Sequence, residues 1–226
     1  MRPGFGVDLF IRESTHAQRD PSGSSVFRPY DGAMPLIDRA ESVLVVVDTQ
    51  PGFFAREEPE AAAAAASVAR AVWLATVARL LDIPAVVTEE APEREGATAP
   101  RLLERLAPDT PVLTKPTFGL AECPEIVHAI AETKRATAVL MGFETDVCVS
   151  QSAIGLRDMG FRVAVVADAS YTQTACQHEF GLKRMAQAGI ELVHCKGVAF
   201  EWMRTVEQAI EMTKAARELG DWPDSL

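Results

Sequence analysis

The sequence predicts an α/β domain with a doubly wound, mainly parallel six-stranded sheet and helices on both faces, a Rossmann-like architecture. Three observations carry this expectation. Six short apolar runs rich in β-branched residues recur along the chain, helix-forming stretches alternate with them, and no Pro/Gly-rich linker or internal repeat interrupts residues 42–220.

The first run, SVLVVVD from Ser42, has no polar alternation and reads as a strand buried on both faces. PAVVTEE (84–90), PVLTK (111–115), ATAVLMG (136–142), FRVAVVAD (161–168) and GIELVH (189–194) repeat the pattern. Between the first two lies EEPEAAAAAASVARAVWLATVARLLD, acidic at its start and alanine-rich throughout, as a helix N-terminus and a high-propensity helix require. CPEIVHAIAETK, the stretch after Thr145, CQHEFGLKRMAQAG and TVEQAIEMTKAARELG are the other helical segments. GVAFEWMR (197–204) reads as a connection before the last helix, with Trp202 either an interface anchor or a core residue. Residues 1–40 are rich in Pro, Gly, Ser and charge and form an N-terminal extension to a domain spanning 41–226. The extension reads either as a disordered arm or as an arm packed on the domain or on a neighbouring subunit, and Phe5, Phe10, Phe27 and Tyr30, which a free tail would leave exposed, favour the packed arm.

The net charge of −10 opposes a nucleic acid or an anionic membrane as partner. No signal-peptide run and no stretch of about 18 apolar residues is evident, which predicts a cytoplasmic protein with no membrane span. The four cysteines, Cys123, Cys148, Cys176 and Cys195, form no CxxC pair and read as reduced thiols.

In a doubly wound sheet, ligands bind beyond the carboxyl ends of the strands. Asp48 follows the first strand, Lys115 ends the third, and Cys148 lies shortly after the fourth. Singly, each has an ordinary reading: a carboxylate satisfying loop N–H groups, a solvated surface lysine, a small buried hydrophobe. Together they form a base, a cation and a thiol at one sheet edge, the set that nucleophilic catalysis needs. Thr145 and Asp146 are good N-cap residues, so Cys148 is expected in the first helical turn, where unpaired N–H groups favour a thiolate.

DTQPGFF, TKPTFG and GFETDVCVSQSAIGLRDMGFRVAVVADAS resemble the isochorismatase-like (cysteine hydrolase) superfamily, with similarity from about Ser42 to Trp202. The resemblance implies a catalytic triad of Asp48, Lys115 and Cys148. It further implies a non-proline cis peptide at Phe143–Glu144 and an oxyanion hole built from the backbone N–H groups of Glu144 and Cys148. Members that cleave a vinyl ether lack the cysteine, so Cys148 points instead to a C–N bond of a small amide or carbamoyl substrate. Nicotinamidases in the superfamily carry metal-binding histidines after the second strand. Here Glu90 stands at the carboxylate position but Ala91 and Pro92 follow it, and His16, His128, His178 and His194 lie elsewhere. No metal and no cofactor are therefore expected.

Gln50, Phe53, Phe54, Phe118 and Tyr171 are candidate substrate-binding residues near strand ends, and specificity is assigned to 50–54, 89–98, 116–122 and 171–176. Asp168 is expected to anchor loop backbone, and the Cys176–His178 pair to point in different directions on its helix. The reading is a metal-independent cysteine hydrolase, a homo-oligomer of at least two copies. The alternative is a non-catalytic binding or scaffold protein of the same fold.

Overall fold

The computed structural model describes residues 35–221, together with Gln18–Arg19 and Ser25–Val26, which pair antiparallel. Phe5, Phe10, Phe27 and Tyr30 lie outside the described residues. Where the described chain begins, it is already fastened to the domain. Ile37 is fully buried and its N–H donates to the Glu201 carboxylate at 2.5 Å.

The six strands are β1 (Ser42–Val47), β2 (Ala85–Glu90), β3 (Val112–Lys115), β4 (Thr137–Phe143), β5 (Arg162–Tyr171) and β6 (Glu191–Val193). They lie in the order β3-β2-β1-β4-β5-β6, every pair parallel. The order reverses between β1 and β4, which opens a crevice at their carboxyl ends. The longer helices are α1 (Glu60–Leu80), α2 (Pro124–Glu132), α3 (Ser150–Asp158), α4 (Ala175–Gln187), α5 (Cys195–Met203) and α6 (Val206–Glu218), and two single-turn helices, Pro92–Glu95 and Pro100–Leu103, lie between β2 and β3.

Side-chain alternation along the strands separates two cores. Leu44, Val46, Val139, Met141, Ala164 and Val166 pack against α1, α5 and α6. Val43, Val45, Val47, Ala138, Leu140, Val163 and Val165 pack against α2, α3 and α4, and Cys148 belongs to this second layer. All of β1 is buried, each Val or Leu contributing about 1.5–3 kcal/mol, which is why its sequence shows no polar alternation.

Three expectations are corrected. GVAFEWMR is not a connection: most of it belongs to α5, and Trp202 is fully buried with its indole N–H donating to Ser42 Oγ at 3.1 Å, so it anchors the core and not an interface. β5 does not end at Asp168 but continues to Tyr171. α1, finally, is long and apolar enough to cross a membrane by length and composition. Its stretch from Ala71 to Ala78 is buried in the core against the sheet, with Val72, Trp73, Leu74 and Val77 supplying the larger side chains.

Gly142 in β4 sits at φ +133°, beside a register irregularity between Leu140 and Gly142, and a Cβ there would collide with the Val47 carbonyl. Because β1 and β4 flank the crevice, this contact sets how closely Asp48 and the Cys148 turn approach. Gly142→Ala should lower unfolding stability by about 2 kcal/mol or more in urea titration; a change within ~0.5 kcal/mol would mean the backbone yields there at little cost.

Candidate active site

β1 delivers Asp48 into the crevice at φ 45°, a left-handed turn at the strand end. Asp48 is fully buried; its Oδ1 accepts from Thr88 Oγ1 at 3.0 Å and its Oδ2 lies 2.7 Å from Lys115 Nζ. Lys115 is the last residue of β3, and its side chain is also fully buried, which excludes the solvated-lysine reading. Its ammonium donates to the Thr117 carbonyl at 2.9 Å and reaches Cys148 Sγ at 3.6 Å and Glu90 Oε2 at 3.5 Å.

Cys148 lies in a π-helical turn, Thr145–Val149, that leads into α3. The peptide Phe143–Glu144 that precedes this turn is cis. The turn is held from three sides. His178 Nδ1 and Thr145 Oγ1 are 2.9 Å apart, Ser152 Oγ donates to the Cys148 carbonyl at 2.5 Å, and α4 closes over it through Gly181, where a Cβ would come within 2.8 Å of Asp146 Cα. The structure thus brings Asp48, Lys115 and Cys148 together.

It also brings Glu90, the last residue of β2, to the thiol: Cys148 Sγ–H donates to Glu90 Oε2 at 3.3 Å. Glu90 was visible in the sequence at a strand's carboxyl end, the position that marked Asp48 and Lys115, but only as a position for a metal ligand. Asp48, Glu90 and Cys148 do present ligand atoms within 4.8 Å of one another. The Lys115 ammonium, however, already lies against both carboxylates and neutralises one of them. Gln173 carries no sequence signal beyond its place after β5; its Nε2 donates to the Phe53 carbonyl at 2.8 Å and to Glu144 Oε1 at 3.0 Å.

The candidate substrate-binding residues divide. Gln50 is fully buried with its amide committed, donating to the Glu90 and Gly96 carbonyls at 3.0 and 2.6 Å and accepting from the Glu90 N–H at 2.8 Å. Phe53, Phe54 and Tyr171 cluster around Phe143, with the Phe54 and Phe143 ring centres 4.8 Å apart. Phe118 is 52% exposed. A cleft of about 560 Å³ lined by Phe54, Arg56, Glu57, Gln173 and Thr174 adjoins this cluster. A larger groove between α5 and α6, about 790 Å³, contains none of the site residues. Of the remaining polar groups, Asp168 accepts from the Cys195 N–H at 2.7 Å and so caps α5, and it pairs with Arg70 and His194 at 3.3 and 3.1 Å.

The electrostatics run against the expected thiolate. Burial pushes the Cys148 thiol well above its ordinary value; Asp48 adds to this, Lys115 opposes it, and Glu90 adds again. The helix-start contribution is outweighed because two carboxylates face the sulfur and water does not. Burial also raises Asp48, with Lys115, Cys148 and Thr88 opposing. Burial pulls the Lys115 ammonium down, but Asp48, Cys148 and Glu90 together more than offset this and the net direction is up. Glu144 is raised by burial, with Gln173 opposing. These directions favour a neutral thiol over a thiolate. Cys148 labelling by iodoacetamide, mapped by mass spectrometry, should be slower than that of the exposed Cys176 at neutral pH and should still be rising above about pH 9, where an ordinary thiol is already ionised. A rate for Cys148 that levels off below ~pH 8 would restore the thiolate.

The isochorismatase domain family matches residues 42–196. Isochorismatase domain-containing protein 2 of Xenopus laevis is 33% identical over 166 residues, covering 71% of this chain and 75% of that protein. The secreted isochorismatase effector Isc1 of Phytophthora sojae is 32% identical over 132 residues, covering 57% of this chain and 62% of the effector, less than two thirds of its length. Among solved structures, the Escherichia coli YcaC gene product, an octameric hydrolase of unknown specificity, superposes with a TM-score of 0.72 at 26% identity, covering 83% of this chain and 97% of that one.

Proposed function

This chain belongs to the isochorismatase domain family, and on that premise we propose that it is a metal-independent cysteine hydrolase cleaving a C–N bond of a small amide or carbamoyl substrate. The observation that carries the reading is a buried thiol set 3.6 Å from a buried ammonium and among carboxylates, at the switch point of the sheet. A scaffold protein has no use for such an arrangement, since each buried charge costs several kcal/mol to desolvate.

The chemistry follows from the contacts. A carboxylate takes the thiol proton, and in the family scheme that group is Asp48. The sulfur attacks the carbonyl carbon while Lys115 stabilises the charge that develops on sulfur. The oxyanion is assigned to the N–H groups of Glu144 and Cys148. The leaving amine takes a proton from the carboxylic acid, and water cleaves the thioester. The acid-rich site and the net charge of −10 oppose a polyanionic substrate.

A panel of small amides, ureido acids and nicotinamide, assayed for ammonia release, tests the reaction class. Cys148→Ala should abolish turnover with the fold intact; retention of more than a few per cent by a homogeneous preparation would remove Cys148 as nucleophile. Asp48→Asn and Lys115→Met should each cost at least ~100-fold in rate. Dialysis against EDTA should leave the rate unchanged, and stoichiometric zinc or iron whose removal ends activity would sink the metal-independent reading.

We also propose a closed homo-oligomer, by analogy with the octameric Escherichia coli neighbour. Light scattering of the full chain at micromolar concentration should give at least a dimer, and a monomer would refute it. Repeating the measurement on a chain that starts at Pro35 tells whether the N-terminal extension takes part.

A further inference from the structure

α4 lies against the turn that carries Cys148, and its first turn brings His178 to Thr145. Thr145 opens the π-helical turn Thr145–Val149 and is fully buried. Its Oγ1 lies 2.9 Å from His178 Nδ1, and the His178 ring rests on Tyr171 of β5 with ring centres 5.1 Å apart.

The weight of this contact shows in where the turn's other hydrogen bonds go. Ser150 Oγ donates to the Asp146 and Val147 carbonyls and Ser152 Oγ to the Cys148 carbonyl, but both serines belong to α3, which continues the turn and moves with it. Val147 and Val149 take their N–H groups to the carbonyl of Glu144, the residue just before the turn. Lys115, Glu90 and Asp48 contact the reactive sulfur itself. Among the described residues, His178 is therefore the one side chain from another element that hydrogen-bonds the turn away from the sulfur.

We propose that His178, as a neutral imidazole accepting the Thr145 hydroxyl proton, is a positioning residue that holds the Cys148 turn against Asp48 and Lys115. The proposal deepens the hydrolase reading, on which its kinetic consequence rests; the positioning itself needs no turnover.

The direction of the bond follows from satisfying the hydroxyl. A buried O–H without an acceptor is costly, and Thr145 Oγ1 has no other hydrogen-bond partner among the described residues. Nδ1 therefore accepts, and the proton of the neutral ring sits on Nε2. Burial holds the His178 ring below the ordinary histidine range, with Asp146 and Glu179 opposing, so it is neutral at neutral pH. The groups that face it are Tyr171 from β5, Asp146 from the turn and Glu179 from its own helix.

The same geometry makes the turn sensitive to acid. Protonation puts a hydrogen on Nδ1, which then accepts nothing. The Thr145 hydroxyl is left without an acceptor in the interior. The imidazolium is also drawn to Asp146, whose Oδ1 is buried with no hydrogen-bond partner among the described residues. Both changes loosen the end of the turn next to Glu144, whose N–H is assigned to the oxyanion.

The test uses the full chain, labelled with 15N at histidine and cysteine and followed by NMR between about pH 5 and 8. Nδ1 should be the unprotonated nitrogen of the neutral ring. The ring should titrate below ~6.5, and the Cys148 amide signal should move with the same midpoint. In His178→Asn, Oδ1 keeps an acceptor at the place of Nδ1 and does not titrate, so the Cys148 amide should lose that transition. In His178→Leu and Thr145→Val it should be displaced at every pH. A proton on Nδ1 at neutral pH, a Cys148 amide that ignores the His178 titration, or a transition that survives in His178→Asn overturns the proposal. The first two readings need no variant, so a misfolded variant does not protect it. With any amide that the protein turns over, His178→Leu should lower kcat at least ~10-fold with little change in KM, and His178→Asn should restore most of the loss. Equal rates in the two variants, both full or both reduced, overturn the positioning role. Cys148→Ala judges the hydrolase reading separately, so either idea can fail alone.

Discussion

The buried ion pair between Asp48 and Lys115 is the constraint to which the rest of the site answers. Both side chains are fully buried and the contact is 2.7 Å. Removing either partner leaves an uncompensated interior charge, at a cost of about 3–5 kcal/mol. The pair also ties the edge of the sheet to its middle, because β3 and β1 are not neighbours: β2 lies between them. Lys115 pairs in register with Glu90 of β2, and Asp48 takes its backbone N–H to the Thr88 carbonyl of the same strand. The cation thus reaches past β2 to meet the anion, and Thr88 and Glu90, on the strand it crosses, contact the two charges.

This arrangement explains why the Cys148 thiol is pushed above its ordinary range. A nucleophile beside a lone lysine would be ionised, but here the lysine's charge is already spent on Asp48. The sulfur sees burial and carboxylates more than it sees the cation. On the proposed hydrolase reading, proton transfer would accompany attack instead of preceding it. Rigidity around Cys148 serves the same end. The turn is fastened by Thr145 to His178, by Ser152 to the Cys148 carbonyl, and by close approach of α4 at Gly181, so the sulfur is held near its partners without having to be charged.

Much of this was legible in the sequence because a parallel sheet writes itself as apolar runs. The six runs mark the six strands, and the rule that ligands gather at strand carboxyl ends singled out Asp48, Lys115 and Cys148, which the structure brings together. What escaped is non-local. Lys115 reads as a surface lysine until β3 is set at the edge with Asp48 two strands away. The thiol's ionisation depends on which charges face it across space, and a helix-start argument counts only its own element. The helical period around Trp202 in GVAFEWMR is blurred because the exposed Phe200 adds an apolar residue off the buried face of Val198, Ala199, Trp202 and Met203. Gln173 has no pattern at all, and its role arises from hydrogen bonds to Phe53 and Glu144 across the crevice.

The adjacent glutamates of β2 show how the strand period divides labour. Glu89 and Glu90 point to opposite faces, as neighbours in a strand do. Glu89, buried, accepts from the Thr98 backbone N–H at 2.7 Å and from its hydroxyl at 2.8 Å, and so pins the far end of the loop that follows β2. Gln50 reaches the same loop at the Gly96 carbonyl, and the Thr49 carbonyl accepts from the Ala99 N–H at 2.9 Å. The loop over the site is consequently held along its length by residues from β2 and from the segment after β1. Glu90, on the other side of the strand, is left with its carboxylate free of backbone duties and turned to the sulfur. A one-residue slip of β2 would exchange the two carboxylates, placing the loop anchor in the site and the site carboxylate in the loop. The parallel register Val47 to Thr88 and Glu90 to Lys115 is therefore a condition of the site's geometry as well as of the fold.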